Sequence, residues 1–199
     1  MNDRAVTNRN RGSRRSRRGH RQRRSSMVEE KESLSVEALT IRRAKRSDAP
    51  ALIRLIQALA AFENLTPPNR AQQRRLIKDG FGIRPRFEAW LAFRKKVAGP
   101  VGYAIVLETY STFCASPTLY LEDIFVLREH RRQGIGSALL RHCVQLAYDR
   151  GCDRMEWTCL DWNRKAQSVY RRIGARRLDA WQLFRLDRTR MTRFLRTRS

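Results

Sequence analysis

The chain has 199 residues, of which 41% are hydrophobic, and its 43 Lys and Arg against 19 Asp and Glu give a net charge of +24. This length suits one compact α/β domain with a sizeable core, and the hydrophobic content excludes wholesale disorder. No run of about 18 apolar residues is present to cross a membrane, so the sequence predicts a soluble protein.

The positive charge is concentrated at the two ends of the chain. Residues 1–24 carry ten Arg against one Asp, a net +9, and residues 188–199 add +5. We expect a disordered Arg-rich tail over residues 1–38, a folded domain over 39–187 and a basic C-terminal tail over 188–199. The first tail could bind nucleic acid or an acidic membrane surface, could be an organellar presequence that lacks the usual apolar spacing, or could have no role.

Secondary-structure signals begin near Leu39, where a short strand is predicted up to Ile41. Ser47 and Pro50 then mark a helix start, and Leu52, Leu55, Ile56 and Leu59 form its apolar stripe. Pro67 ends this helix, and Asn69 is placed to cap a second one that reaches about Lys78. Strand-like runs follow over residues 87–93, 101–108 and 118–127.

The C-terminal half alternates between the two kinds of element. The sequence pattern predicts helices over residues 134–148 and 163–172. It predicts a strand over residues 154–160 and a closing strand over residues 177–186. Three consecutive strands followed by a strand–helix–strand unit indicate a mixed α/β fold. We therefore expect a central, mostly antiparallel sheet with helices on both faces.

The most specific motif is a glycine-bearing turn between a strand and a helix, Arg131-Arg132-Gln133-Gly134-Ile135-Gly136-Ser137. Backbone amides at a helix N-terminus bind anions, and glycine lets a diphosphate approach closely. The motif matches neither the dinucleotide fingerprint, because Leu139 stands at the third glycine position, nor the nucleotide triphosphate loop.

Arg-x-x-Gly-x-Gly at this junction resembles the acetyl-CoA motif of the GNAT N-acetyltransferases. Further stretches are similar to their diamine acetyltransferase branch, which includes spermidine/spermine and thialysine acetyltransferases. The stretches are Ala61–Glu63, Asp79–Gly82, Leu119–Val126, Leu160–Asn163 and Val169–Ala175. The resemblance runs from about Ile41 to Leu186 and implies the GNAT acyl-CoA N-acyltransferase fold.

The resemblance also implies acetyl-CoA as co-substrate and a set of residues that contact it. Residues 124–126 of the strand would pair with the pantetheine arm, and residues 132–137 of the turn would hold the pyrophosphate. The start of the helix predicted over residues 163–172 would contact acetyl-CoA from the other side. These residues are Ile124, Phe125, Val126, Arg131, Arg132, Gln133, Gly134, Ile135, Gly136, Ser137, Asn163, Lys165 and Ala166.

Two side chains are candidates for proton transfer. An alkylammonium group has a pKa near 10.4 and must lose a proton before it attacks a thioester. Alternation along the strand predicts that Glu122 shares a face with Tyr120, Ile124 and Val126 while Asp123 points to the other. A carboxylate buried there is costly unless it is paired or solvated, which makes Glu122 a candidate functional residue. In the resembled branch this glutamate helps to deprotonate the amine. The resemblance assigns Tyr170 as the acid that protonates the departing CoA thiolate.

The acceptor site implied by the resemblance consists of Phe62, Glu63, Glu122 and Trp157. Phe62 stands where diamine enzymes can carry a tyrosine, and the acid-rich segment before the last strand is short here. We expect a small diamine, polyamine or amino acid as acceptor. A protein or peptide N-acetyltransferase, or a nucleic-acid- or ribosome-binding protein on a GNAT scaffold, remain as alternatives.

The four cysteines show no spacing typical of a metal site, and we expect no metal. They indicate a reduced, cytoplasmic compartment, and we expect all four to be buried, small apolar side chains. A homodimer is implied by the resemblance alone.

Overall fold

The computed structural model describes residues 39–197. Its sheet has five strands in the order β1-β2-β3-β4-β5. Neighbouring strands are antiparallel except for β4 and β5, which are parallel. The strands are β1 Leu39–Arg43, β2 Glu88–Arg94, β3 Pro100–Ser111, β4 Ser116–Val126 and β5 Arg154–Glu156. The predicted mixed, mostly antiparallel sheet is thus confirmed.

Five α-helices accompany the sheet within the described part of the chain. They are α1 Ala49–Phe62, α2 Arg70–Phe81, α3 Ile135–Asp149, α4 Arg164–Arg172 and α5 Arg188–Arg196. Asn69 caps α2 as expected: its side chain accepts from the Gln72 amide at 2.9 Å, and the Gln72 side chain accepts in return from the Asn69 amide at 2.7 Å.

Helices α1 and α3 cover opposite faces of the sheet. Leu52 and Leu55 of α1 belong to a buried cluster with Leu91 and Tyr103. The residue before Tyr103 in β3, Gly102, lies on the other face, where the Leu139 side chain of α3 comes within 3.4 Å of the position of an added Cβ. Because successive strand residues alternate between faces, the two helices must lie on different sides.

Two predicted strands differ from those observed. The fifth strand is shorter than predicted and stops at Glu156. Residues 177–186, predicted as a closing strand, lie outside any regular element, and Trp181, Leu183, Phe184 and Leu186 are exposed. An alternating apolar pattern shows that a segment could form a strand, but a strand forms only where a neighbouring strand is available to pair with it. Part of the predicted basic C-terminal tail forms α5 instead.

The chain divides into two compact units, the first ending at Thr158 and the second beginning at Cys159. The first unit contains the sheet with α1, α2 and α3, and the second contains α4 and α5. The predicted N-terminal tail lies outside the described residues. No helix in the described part is both long and apolar enough to cross a membrane.

Candidate active site

The turn between β4 and α3 has a backbone shape suited to an anion. Arg132 (φ 61°) and Gly134 (φ 78°) both adopt left-handed conformations. The first hydrogen bond of α3 in the described structure runs from the Ala138 amide to the Gly134 carbonyl at 2.9 Å. Amides that precede Ala138 in the first turn therefore lack an intrahelical acceptor and are available to an anion.

Glycine at the turn leaves room for a ligand. No heavy atom lies within 4 Å of an added Cβ at Gly134, and at Gly136 only a Val126 methyl comes near, at 3.8 Å. A side chain at Gly136 would therefore fit against the rest of the protein, so packing alone does not explain the glycine. An open approach to unsatisfied amides fits the pyrophosphate of a CoA thioester.

Two side chains of the turn form hydrogen bonds with other parts of the first unit. Arg131 Nε donates to the Val126 carbonyl at 2.8 Å, and Gln133 accepts from Arg94 and donates to the Glu129 carbonyl. The guanidinium carbon of Arg131 lies 4.4 Å from the Phe62 ring centroid and 5.2 Å from that of Phe125. Burial lowers the pKa of Arg131.

Strand β4 contains a bulge at Glu122. Ile105 of β3 pairs with Asp123, whereas the next residue, Val106, pairs with Leu121, so Glu122 is the extra residue. A bulge of this kind leaves one residue unpaired and turns the strand locally. Glu122 is exposed, and the expectation that it is a buried carboxylate is wrong.

The bulge places Tyr120 on the opposite face from Ile124 and Val126, whereas Asp123 lies opposite those two residues as expected. Residues paired across a sheet share a face, so Tyr120, paired with Leu107, lies on the face of Tyr103, and Val126, paired with Gly102, lies on the opposite one. The prediction that Tyr120, Ile124 and Val126 share a face is therefore wrong. Ile124 and Val126 lie on the α3 face, and Phe125 lies on the α1 face.

Asp123 is a half-buried carboxyl group that the sequence analysis did not propose for the site. The Tyr103 hydroxyl donates to its Oδ2 at 3.1 Å. Burial raises the pKa of Asp123 to about 6, and the nearby charges of Glu122 and Glu63 act in the same direction. Alternation with Phe125 places this side chain on the α1 face, and the bulge at Glu122 brings Tyr120 to that face as well. No feature of the sequence alone indicates a bulge.

Glu63 completes an acidic pair at the end of α1. It directly follows Phe62, the last residue of the helix, and burial raises the pKa of its carboxyl group. Phe62 is exposed and lies 6.3 Å from Phe125 between ring centroids. The charge of Glu63 also raises the pKa of Asp123, and the charged forms of such neighbouring carboxyl groups are stabilised when a cation binds beside them.

Other predicted residues lie further along the chain. Trp157, half-buried, follows the last residue of β5 in the first unit. In the second unit the Asn163 side chain accepts from the Ala166 amide at 3.2 Å and so caps α4. Lys165 is exposed on the first turn of this helix.

Tyr170 lies near the C-terminal end of α4, two turns after Asn163. Burial raises the pKa of its hydroxyl to about 12, and the neighbouring Cys159 acts in the same direction. The group therefore keeps its proton at neutral pH, as a general acid must.

The cysteines only partly meet expectation. Cys143 is fully buried, but Cys114 and Cys159 are exposed. The described residues contain no group of three or more acidic, His or Cys side chains arranged to hold a metal ion.

Comparison with known proteins decides the family. The model of the acetyltransferase (GNAT) family matches residues 53–175. The chain belongs to the GNAT acetyltransferase family. It is an N-acetyltransferase, and the family uses acetyl-CoA as co-substrate.

Curated relatives extend the match over most of the domain. A thialysine N-epsilon-acetyltransferase of Sus scrofa is 36% identical over 159 residues, which are 75% of this chain and 93% of that protein. A spermidine/spermine N(1)-acetyltransferase-like protein of Homo sapiens is 33% identical over 77% of this chain and 23% of its own length.

The fold is also found among solved structures. An aminoglycoside acetyltransferase from an uncultured soil metagenomic sample, solved in complex with sisomicin, has a TM-score of 0.63 and 20% identity. The alignment covers 76% of this chain and 98% of that chain, and at this identity it supports the GNAT fold alone.

Proposed function

We propose that this GNAT enzyme acetylates a primary amine of a small diamine, polyamine or amino acid. The observation that carries the proposal is the acidic pair Glu63–Asp123 beside the exposed Glu122. A +24 protein offers few places where a cationic amine is stabilised, and charges beyond about 8 Å are screened at physiological ionic strength. The similar pig and human proteins, whose names specify thialysine and polyamines, support the same class of acceptor.

The three carboxyl groups are suited to different tasks. Asp123 and Glu63 would hold the ammonium group, since a positive charge beside them offsets the burial that raises both pKa values and, at Asp123, the nearby negative charges. Glu122 would accept the proton and pass it to water because it is exposed at the bulge. The turn amides of residues 132–137 would bind the CoA pyrophosphate, and acetyl-CoA would supply the activated acetyl group to the neutral amine.

Substitution of each carboxylate separates these tasks. Glu122→Gln is expected to lower kcat by about 10²-fold, the usual contribution of a general base. Asp123→Asn is expected to raise the KM of the amine by about tenfold, in line with the loss of a charge-assisted hydrogen bond, with a smaller effect on kcat. Steady-state kinetics at saturating acetyl-CoA would measure both. The reverse pattern, in which Asp123→Asn lowers kcat and Glu122→Gln leaves it unchanged, would contradict this division.

Tyr170 would donate a proton to the departing CoA thiolate. Tyr170→Phe keeps the ring and removes only the hydroxyl, so we expect kcat to fall by about 10²-fold while acetyl-CoA affinity stays close to that of the wild type. Because the pKa of Tyr170 is about 12, the wild-type rate should show no loss from tyrosine ionisation up to about pH 10. Unchanged turnover in Tyr170→Phe would remove this residue from the mechanism.

The proposal includes a homodimer. In the second unit, Trp181, Leu183 and Phe184 are all more than 70% exposed, and a group of large apolar side chains in water is typical of an interaction surface. Sedimentation equilibrium of the wild type is expected to give twice the 23.4 kDa chain mass. A Trp181→Ser/Phe184→Ser variant should shift toward monomer, and a wild type that is monomeric at high concentration would exclude the dimer.

A further inference from the structure

Arg131 belongs by sequence to the phosphate-binding motif, yet its side chain is engaged elsewhere. Its Nε is bound to the Val126 carbonyl at 2.8 Å. Its guanidinium lies against Phe62 and Phe125, at 4.4 Å and 5.2 Å from their centroids. Among the described residues it has no carboxylate partner within salt-bridge distance.

These contacts connect two parts of the first unit. Val126 and Phe125 end β4, whereas Phe62 ends α1 and is followed immediately by Glu63. Phe62 is 36% exposed, so packing on the sheet covers only part of its ring. The ring lies 6.3 Å from that of Phe125 between centroids, and the Arg131 guanidinium contacts both rings.

A guanidinium is suited to this position for physical reasons. Its flat face stacks on an aromatic ring while an edge nitrogen still donates a hydrogen bond, and a lysine ammonium cannot do both. A cation over an aromatic face is stabilising, and the more so when water is partly removed. The lowered pKa of Arg131 indicates such removal of water.

We propose that Arg131 is a positioning residue for the amine acceptor, which acts by holding Phe62 and thereby the end of α1 that presents Glu63. The binding of acetyl-CoA is left to the backbone amides of the turn. This inference rests on the proposed function, because it takes Phe62 and Glu63 to form one wall of the acceptor site. It reassigns the arginine of the motif from the co-substrate to the specificity of the enzyme.

The test compares Arg131→Met with Arg131→Lys, Phe62→Ala and the Phe62→Ala/Arg131→Met double variant. Arg128→Met is the matched control, because it removes the same charge from an exposed neighbour, whereas the stacking on Phe62 and Phe125 belongs to Arg131. The readouts are the KM of the amine, the Kd of acetyl-CoA by calorimetry, and the denaturant midpoint of each protein.

Arg131→Met is expected to raise the KM of the amine by about tenfold, within the range of a cation–π contact in a partly desolvated site. The Kd of acetyl-CoA should change by less than about threefold, and Arg131→Lys should behave like Arg131→Met because charge without the planar group is insufficient. In the double variant the rise in KM should not exceed that of Phe62→Ala alone, which shows that Arg131 acts through Phe62.

Two results would overturn the proposal. One is a rise of about tenfold or more in the Kd of acetyl-CoA with an unchanged amine KM, which returns Arg131 to the co-substrate site. The other is additive effects of Phe62→Ala and Arg131→Met. If the wild type acetylates no amine, it is the proposed function that fails. Two measurements still decide whether Arg131 acts on Phe62 or on acetyl-CoA: the Kd of acetyl-CoA, and whether the effects of Phe62→Ala and Arg131→Met on the free energy of unfolding are coupled.

Discussion

At the scale of single residues, Asp123 shows how strongly its surroundings can change a side chain's chemistry. It shares the α1 face with Phe125, and its carboxylate accepts a hydrogen bond from the Tyr103 hydroxyl. There its pKa is raised to about 6, chiefly by burial. A carboxyl group in this state changes charge close to neutral pH.

The raised pKa of Asp123 predicts a pH dependence of stability. Between about pH 4 and pH 6 the folded protein binds a proton that the unfolded chain releases, so the free energy of unfolding falls as pH rises through this window. A shift from 3.8 to about 6 corresponds to on the order of 3 kcal/mol at neutral pH. Asp123→Asn should remove this loss and be more stable than the wild type at pH 7, as measured by urea unfolding.

Tyr103→Phe sharpens this test. The hydrogen bond from Tyr103 partly lowers the pKa of Asp123, so its removal should make the decline with pH steeper and extend it above pH 6. Curves for wild type and Asp123→Asn that stay parallel from pH 4 to pH 7 would show that Asp123 does not titrate in this way.

At the scale of elements, helix α3 contributes a second titratable contact, on the other face of the sheet. The ring of His142 lies 4.2 Å from that of Trp90 between centroids. His142 Nε2 and Trp90 Nε1 are both buried with no hydrogen-bond partner among the described residues. Burial lowers the pKa of His142, so the folded protein favours the neutral imidazole.

This contact predicts loss of stability in acid. Below about pH 6.5 the unfolded chain binds a proton at His142 that the folded protein resists, so the free energy of unfolding falls as pH falls. His142→Phe keeps an aromatic ring beside Trp90 and should remove this decline, which urea unfolding between pH 5 and pH 7 would measure. The sign is opposite to that of Asp123, so the two variants distinguish the groups. An unchanged slope in His142→Phe would contradict the assignment.

Most elements could be predicted from the sequence because their signals are local. The Asn69 capping box and the apolar stripe of α1 depend on residues a few positions apart, and both helices were located within a few residues. The bulge at Glu122 and the missing closing strand depend on pairing between distant segments. For the same reason the sequence located the glycine turn but not the contact of Arg131 with Phe62, 69 positions earlier in the chain.

At the scale of the whole molecule, the high positive charge of the chain should repel the cationic amine that the proposed function requires it to bind. Of the +24 charges, 14 belong to residues 1–24 and 188–199. The acidic residues that would hold the amine lie in the first unit, where they can dominate locally because distant charges are screened over about 8 Å. Acceptor binding should therefore depend on Glu63 and Asp123 far more than on the terminal arginines.

Removal of residues 1–26 tests this separation of charge and catalysis. The shortened protein should keep kcat and the KM of the amine, because the proposed site residues all lie beyond residue 61. Its retention on a polyanion such as RNA should fall, and the salt dependence of binding should become shallower as basic groups are lost. A large loss of acetyl transfer on truncation would show that the terminal charge takes part in catalysis.

The most direct measurement of the central claim is acetyl transfer from acetyl-CoA to a panel of amines, followed by CoA release and by mass spectrometry of the product. The panel would contain thialysine, ornithine, lysine, short diamines, spermidine and a peptide with a free N-terminus. We predict one CoA released per amine acetylated, with at least one small amine preferred over the peptide and loss of turnover in Glu122→Gln. Binding of acetyl-CoA without acetylation of any small amine would contradict the proposal.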